Sequence, residues 1–231
     1  MEKKYELLTN DVKEFDDGTF VYRIKALKNF ASVKAGELGG YIASERNLSH
    51  KGNCWVADNA IVANHARVCG DATVEDEAVV CGFATVRDLA GVLDHAKLDE
   101  HVIVQHDAVV DEYASLTDYA NIYGNAYIHG YATIGNISYI GGNADIRDTN
   151  DVVSLVEVTD QHDNITYFRA MKDGGVEPYI EVTTSMCTET FEPKSLRGFR
   201  EWLTDQCLSD RERRLITTSI DFAKCVLTEE E

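Results

Sequence analysis

The chain has 231 residues, 44% apolar and 27% charged, a balance that excludes a disordered chain and a membrane protein. Forty acids against 22 bases leave a formal charge of -18, which repels nucleic-acid phosphates and anionic lipid and favours cations or basic protein surfaces. The opening segment MEKKYELLTNDVKEF lacks the apolar stretch of a secretory signal, and no run of eighteen apolar residues occurs, so a cytoplasmic protein is expected. Six cysteines (54, 69, 81, 187, 207 and 225) form no CxxC pair and read as free thiols.

Residues 1–54 are nearly neutral, with eight acids and nine bases. The segment EFDDGTFVYRIKAL, from Glu14 to Leu27, predicts a hairpin about Asp17-Gly18. Residues 31–54 are expected to form a first, irregular coil, and hairpin and coil together cap the N-terminal edge of the residues beyond 54.

From Val56 to Ile146 every sixth residue is aliphatic, sixteen positions without a gap. A second series lies four residues after each, from Ala60 to Ala144, and thirteen of its fifteen members are alanine. A period of six matches neither helix nor open sheet. It predicts a solenoid of short strands and corners, in which three hexads close a triangular coil with the aliphatic residues inside. Corner chemistry agrees: Gly70, Gly82, Gly124, Gly130 and Gly142 recur, and Asp71, Asn125 and Asn143 follow three of them. Hexads over 55–151 stack into a prism roughly 25 Å tall at about 4.8 Å per coil. Residues 55–148 hold four bases against fifteen acids, so the prism carries most of the charge.

Residues 152–231 predict a small α+β domain. Strands are expected at Val152–Val158, Ile165–Arg169 and Tyr179–Val182, with a turn at Asp173-Gly174-Gly175. Ser195 can cap a helix carrying Leu196, Phe199, Trp202 and Leu203. Ser209 and Glu212 form a capping box before Leu215, Ile216, Ile220, Phe222, Ala223 and Val226.

The hexads resemble the left-handed parallel β-helix of the hexapeptide-repeat superfamily. The expected fold is thus a left-handed β-helix with an N-terminal β cap and a C-terminal α+β domain. Leu38-Gly39-Gly40-Tyr41-Ile42, Asn47-Leu48-Ser49-His50 and Gly52-Asn53-Cys54-Trp55-Val56 resemble phage-borne and bacterial proteins of the YdcK-related, acyltransferase-like family. That resemblance implies acyl transfer from acetyl-CoA in a groove between subunits of a trimer, with a histidine as general base. His106, beside Asp107, and His129 are the candidates. No loop interrupts the hexads to build a pocket, and no basic patch awaits the CoA phosphates. A metal site would need histidines to converge. His65 and His101 share a ladder but lie two coils apart, while His95 and His101 occupy successive corners, so no metal or other cofactor is expected.

Asp58, Asp76, Asp94 and Glu112 form a vertical row of carboxylates, with Glu75, Glu77 and Asp111 beside it. Like charges stacked this closely oppose one another, which suggests that the fold does not want them there. Such a row could engage a basic protein surface or imitate a nucleic-acid backbone. At the next corner His65, Phe83, His101 and Tyr119 align, and Tyr113 lies under Tyr131. With Tyr123 these rings offer interface material for a partner, a homodimer or a homotrimer. The balance of features favours a non-enzymatic acidic binding protein without direct nucleic-acid or membrane contact. Its most concrete form is an inhibitor of a host nucleic-acid-binding defence factor, acting in the host cytoplasm if phage-encoded. Acyl transfer and a structural or assembly role are the alternatives.

Overall fold

A computed structural model describes residues 3–156, 158, 163–171, 178–184, 194–206 and 208–228. The predicted hairpin is present: β1 (Tyr5–Glu14) and β2 (Phe20–Ala26) pair antiparallel about a turn in which Gly18 has a φ of 83°. Next to β2 lies β3 (Leu38–Ile42), which pairs antiparallel with it on one side and parallel with the prism on the other. Gly39 and Gly40 are dictated by close approach, since a Cβ on either would lie 2.5 Å from the Trp55 ring or from the Ala60 carbonyl oxygen. Leu48 bridges in parallel to Val68, so the irregular first coil is already part of the solenoid.

Sixteen two-residue strands come next, from β4 (Trp55–Val56) to β19 (Asp145–Ile146), one per hexad. They lie on three parallel faces, which begin at Trp55–Val56, Ile61–Val62 and Arg67–Val68. Each strand pairs with the strand 18 residues later, as Val56 does with Val74 and Val74 with Val92. The aliphatic series points inward and is at most 2% exposed, and the alanines of the second series lie beside it at 0–1%. Each fully buried aliphatic side chain contributes about 1.5–3 kcal/mol, so the hexad code alone supplies a continuous core.

A third series, less visible in the sequence, sets the corners. From Gly52 to Gly142 every sixth residue has a positive φ, between 51° and 73°. Glycine fills this left-handed position in six cases (52, 70, 82, 124, 130 and 142), and Asp, Asn, Glu or His fills the rest. Asp and Asn tolerate this conformation better than other L-residues.

Between the paired strands, rung hydrogen bonds from the turns and strand ends donate to carbonyls of the coil above, as Asn59 to Asp76 (2.8 Å) and Thr73 to Ala90 (3.0 Å), while Val68 donates back to the Asn47 carbonyl of the coil below (2.7 Å). Among the backbone groups left at the two ends are carbonyls of the first coil and N–H groups of the last coil. Side-chain donors meet the former. Lys4 Nζ donates to the carbonyls of Cys54 (2.7 Å) and Gly52 (3.3 Å), Tyr5 Oη to Leu48 (2.7 Å), and Arg23 Nη1 to Gly39 (2.9 Å) and Asp58 (2.6 Å). Side-chain acceptors meet the latter. Asp151 Oδ2 takes the N–H groups of Arg147 and Asp148 (both 3.0 Å), Thr149 Oγ1 that of Thr133 (3.0 Å) and Thr166 Oγ1 that of Tyr139 (3.2 Å).

After a 3-10 turn at Thr149–Asp151, four antiparallel strands lie in chain order: β20 (Val152–Leu155), β21 (Ile165–Met171), β22 (Pro178–Thr184) and β23 (Lys194–Ser195). Alternation along β21 divides its side chains between two cores. Phe168 and Ala170 close the end of the prism, while Ile165 and Tyr167 pack against α1 (Leu196–Thr204) and α2 (Asp210–Thr228). Ser195 caps α1 by accepting the N–H of Gly198 (3.2 Å), and the Ser209–Glu212 box caps α2 (2.8 and 3.3 Å). The buried stripe of α2 is Ile216, Ile220, Ala223 and Leu227; Leu215 and Phe222 are exposed at 49% and 56%. The first strand ends at Leu155 rather than Val158. The Asp173–Gly175 turn, His162, Cys187 and Cys207 lie outside the described residues.

Candidate active site

The corner between the first and second faces carries the predicted acidic row, and its backbone explains much of it. Asp58, Asp76, Asp94 and Glu112 have φ values of 51–58°, so each occupies the left-handed corner position, which Gly130 fills one coil higher. The carboxylates also have backbone work: Asp76 Oδ2 accepts the N–H of Asp94 (3.4 Å) and Glu112 Oε2 that of Gly130 (2.7 Å). The same bond recurs at the other corners, from Gly82 to Asn64 (3.2 Å), His106 to Asp88 (3.2 Å) and Asn136 to Asp118 (2.7 Å). The premise that the fold does not want these residues is thereby corrected. Corner geometry selects short polar side chains, and each can cap the corner one coil above. A hydrogen bond to Asp111 and the nearby charges of Asp111 and Asp76 raise the Asp94 carboxyl above its ordinary range.

Asp58, Asn59, Asp76, Glu77, Asp94 and His95 line a shallow concavity of about 290 Å³ along this corner. Glu77 Oε2 lies 3.3 Å from His95 Nδ1, and the rings of His95, Tyr113 and Tyr131 stack at 4.8 and 5.2 Å. Glu75 flanks the row, half-buried.

Above that stack the structure builds a more specific group around His129. Its side chain is only 17% exposed, and its Nε2 lies 2.8 Å from Asp145 Oδ1. Nδ1 faces Glu112 Oε2 at 3.9 Å, and the ring lies flat against Tyr127 with centroids 4.3 Å apart. Tyr127 in turn donates to Asp111 Oδ2 (3.1 Å), and burial with that carboxylate pushes its phenol up to about 12. An Nε2–H donated to Asp145 leaves the lone pair on Nδ1. Asp145 fixes ring and tautomer, while Glu112 stands where it would stabilise the imidazolium formed on proton uptake. The sequence names His129 but not its partner. The signal is a spacing of sixteen, which sets a residue just past one strand beside the outward residue of the strand above. Asp111 with Tyr127 and Gln105 with Asn121 repeat it.

The other predicted residues stand apart from this group. His106 is a left-handed corner residue (φ 60°) at a different edge, exposed, with Nδ1 3.5 Å from the N–H of Gly124. Tyr123 lies away from Tyr113 and Tyr131, with its ring packed over Gly141, and burial raises its phenol. The second aromatic row is continuous: His65, Phe83, His101 and Tyr119 stack at 4.8, 4.9 and 4.8 Å. Cys81 packs beneath the N-terminal hairpin with Val21, Tyr41 and Ala63, and burial together with Asp99 pushes its thiol up to about 12, far from a reactive thiolate. Among the described residues no three His, Cys, Asp or Glu side chains converge as a metal site.

No protein-family model and no curated protein matches the sequence. The resemblance to the YdcK-related family therefore rests on the residues quoted for it, and the hexapeptide-repeat solenoid on the structure. That architecture corrects the expectation of a non-enzymatic protein: three parallel sheets closed into a triangular prism are the fold that carries the hexapeptide-repeat acyltransferases.

Proposed function

We propose that the protein is an acyl-CoA-dependent acyltransferase of the hexapeptide-repeat type, with His129 as its general base. The observation that carries this reading is the His129–Asp145 pair at 2.8 Å on the surface of a triangular parallel prism. In this reading His129 Nδ1 takes the proton from an acceptor hydroxyl or amine as the acceptor attacks the thioester carbonyl. Asp145 keeps the ring oriented, and Glu112 stabilises the positive charge that develops. The side chain of His129 emerges beside a corner, where a neighbouring prism in a homotrimer would form the other wall of a groove for the acyl donor. Acetyl-CoA is the simplest donor.

The experiment measures acceptor-dependent release of free CoA from acetyl-CoA, across hydroxyl and amine acceptors. His129→Ala should lower kcat about 10²- to 10⁴-fold, and Asp145→Asn should lower it less while leaving KM for acetyl-CoA unchanged. His106→Ala, which alters only a corner, should retain activity. Absence of acetyl-CoA binding, or a His129→Ala variant as active as the parent, would overturn the reading.

A further inference from the structure

The N-terminal mouth of the prism holds a lysine and a cysteine that the proposed acyl transfer does not use. Cys54 occupies the inner small-residue series of the first coil, 18 residues before Ala72, and is 0% exposed. Lys4 is 1% exposed, and its Nζ reaches into the mouth to within 3.4 Å of Cys54 Sγ while bonding to the Cys54 carbonyl at 2.7 Å. Tyr5, Phe30 and Trp55 wall in this corner, with Lys4 Nζ 5.0 Å from the centre of the Phe30 ring. The remaining neighbours of the sulfur are the carbonyls of Ser49, Lys51 and Val68, at 3.5–3.7 Å. An amine and a thiol are thus held in contact, away from water.

We propose that Lys4 and Cys54 are a redox-modification site, at which an oxidant of the peroxide class joins Nζ to Sγ through a single oxygen atom. One hydrogen peroxide converts the thiol to a sulfenic acid and leaves as water. A second accepts two electrons with the protons of one amine N–H and the sulfenic O–H while the N–O bond closes, and leaves as two waters. The product is Nζ(H)–O–Sγ, and excess dithiol returns amine, thiol and one water. Burial raises the Cys54 thiol, which slows the first oxidation, but it favours the link in two ways. It lowers the pKa of Lys4, so the nucleophilic neutral amine is more accessible, and it withholds the solvent thiols that would otherwise resolve a sulfenic acid. The link would tie β1 to the first coil, closing a loop between positions 4 and 54 and removing freedom from the unfolded chain.

The test treats the full-length protein with graded hydrogen peroxide, then digests it for mass spectrometry with and without dithiothreitol. The expected product is one peptide pair containing Lys4 and Cys54, heavier by one oxygen and lighter by two hydrogens. Dithiothreitol should separate it, and the Tm of the oxidised protein should rise. Lys4→Arg and Cys54→Ala should each abolish the product; the latter repeats the alanine found one coil higher and so should fold. The inference is overturned if Cys54 advances to sulfinic or sulfonic acid with Lys4 unmodified. It is equally overturned if Cys54 stays unmodified at peroxide levels that fully oxidise the exposed Cys225. None of these readouts depends on acyl transfer, so the two proposals fail separately.

Discussion

The two ends of the prism face the same problem, and different side chains meet it. At the N-terminal mouth the side chains of Lys4, Tyr5 and Arg23 donate to backbone carbonyls. At the C-terminal end Asp151, Thr149 and Thr166 accept from N–H groups, while the Thr183 hydroxyl donates to the Tyr139 carbonyl and the Met171 N–H to that of Asn143. Their apolar closure differs too. The N-terminal end is covered by the aromatic corner of Tyr5, Phe30 and Trp55. The C-terminal end is covered by Phe168 and Ala170 from a sheet with a second core behind it. Each end of a parallel solenoid leaves backbone groups to be met, and the two caps meet them with different side chains.

The two tryptophans allow this contrast to be tested end by end, because Trp55 lies in the N-terminal corner and Trp202 in α1. The largest effect is expected from Phe168→Ala, about 3–5 kcal/mol by cavity formation in a fully buried site. Denaturant unfolding followed by Trp202 should move to lower concentration more than that followed by Trp55. Coincident shifts would mean that the ends unfold as one unit and would break the comparison. Next come the polar caps. Asp151→Ala frees two N–H groups and strands Arg169, 3.0 Å away, at a cost of about 2–3 kcal/mol. Lys4→Met should cost only about 1–2 kcal/mol, because burying the ammonium already offsets part of its hydrogen bonding. If Lys4→Met proved the costlier change, the ranking of the two polar caps would be reversed.

The smallest effect is alkaline. Cys81, beneath the N-terminal hairpin, holds its proton to about 12 when folded but releases it from 9.0 when unfolded. Tyr167, in the C-terminal core, holds its proton to about 12 against 10.0. In both cases the folded state binds more protons across the interval, so stability falls as pH rises through it. The N-terminal end should therefore begin to weaken at lower pH than the C-terminal end. Cys81→Ala should flatten the pH dependence of Tm reported by Trp55, and Tyr167→Phe that reported by Trp202.

The division between what the sequence made legible and what it did not tracks the range of the interactions. Val56, Val62 and their successors declare the prism because one residue type repeats at one spacing, and Ser195 and Ser209 declare the helix starts because capping is local. The acidic row was legible as a row but not as a set of corner residues, since its cause is a backbone angle that Gly82, Asn64 and Asp76 all satisfy. The Asp145 partner of His129 was missed because a contact at sixteen residues falls between the periods of six and eighteen. Leu215 and Phe222 are apolar like the buried Ile216, Ile220 and Ala223, and helical spacing alone does not say which stripe a sheet will cover.

The sixteen- and eighteen-residue offsets also make the molecule a ruler with fixed divisions. Inserting eighteen residues in the middle of the prism would lengthen it by one coil and return each later side chain to the same edge. Inserting six would turn everything beyond the insertion by one face. His129 and Asp145 would still meet, both lying beyond the cut, but on a different side from the groove at Asp58–Asp94 and from the N-terminal cap. Length can therefore change freely only in whole turns, and the relative bearing of the two caps is a counted quantity.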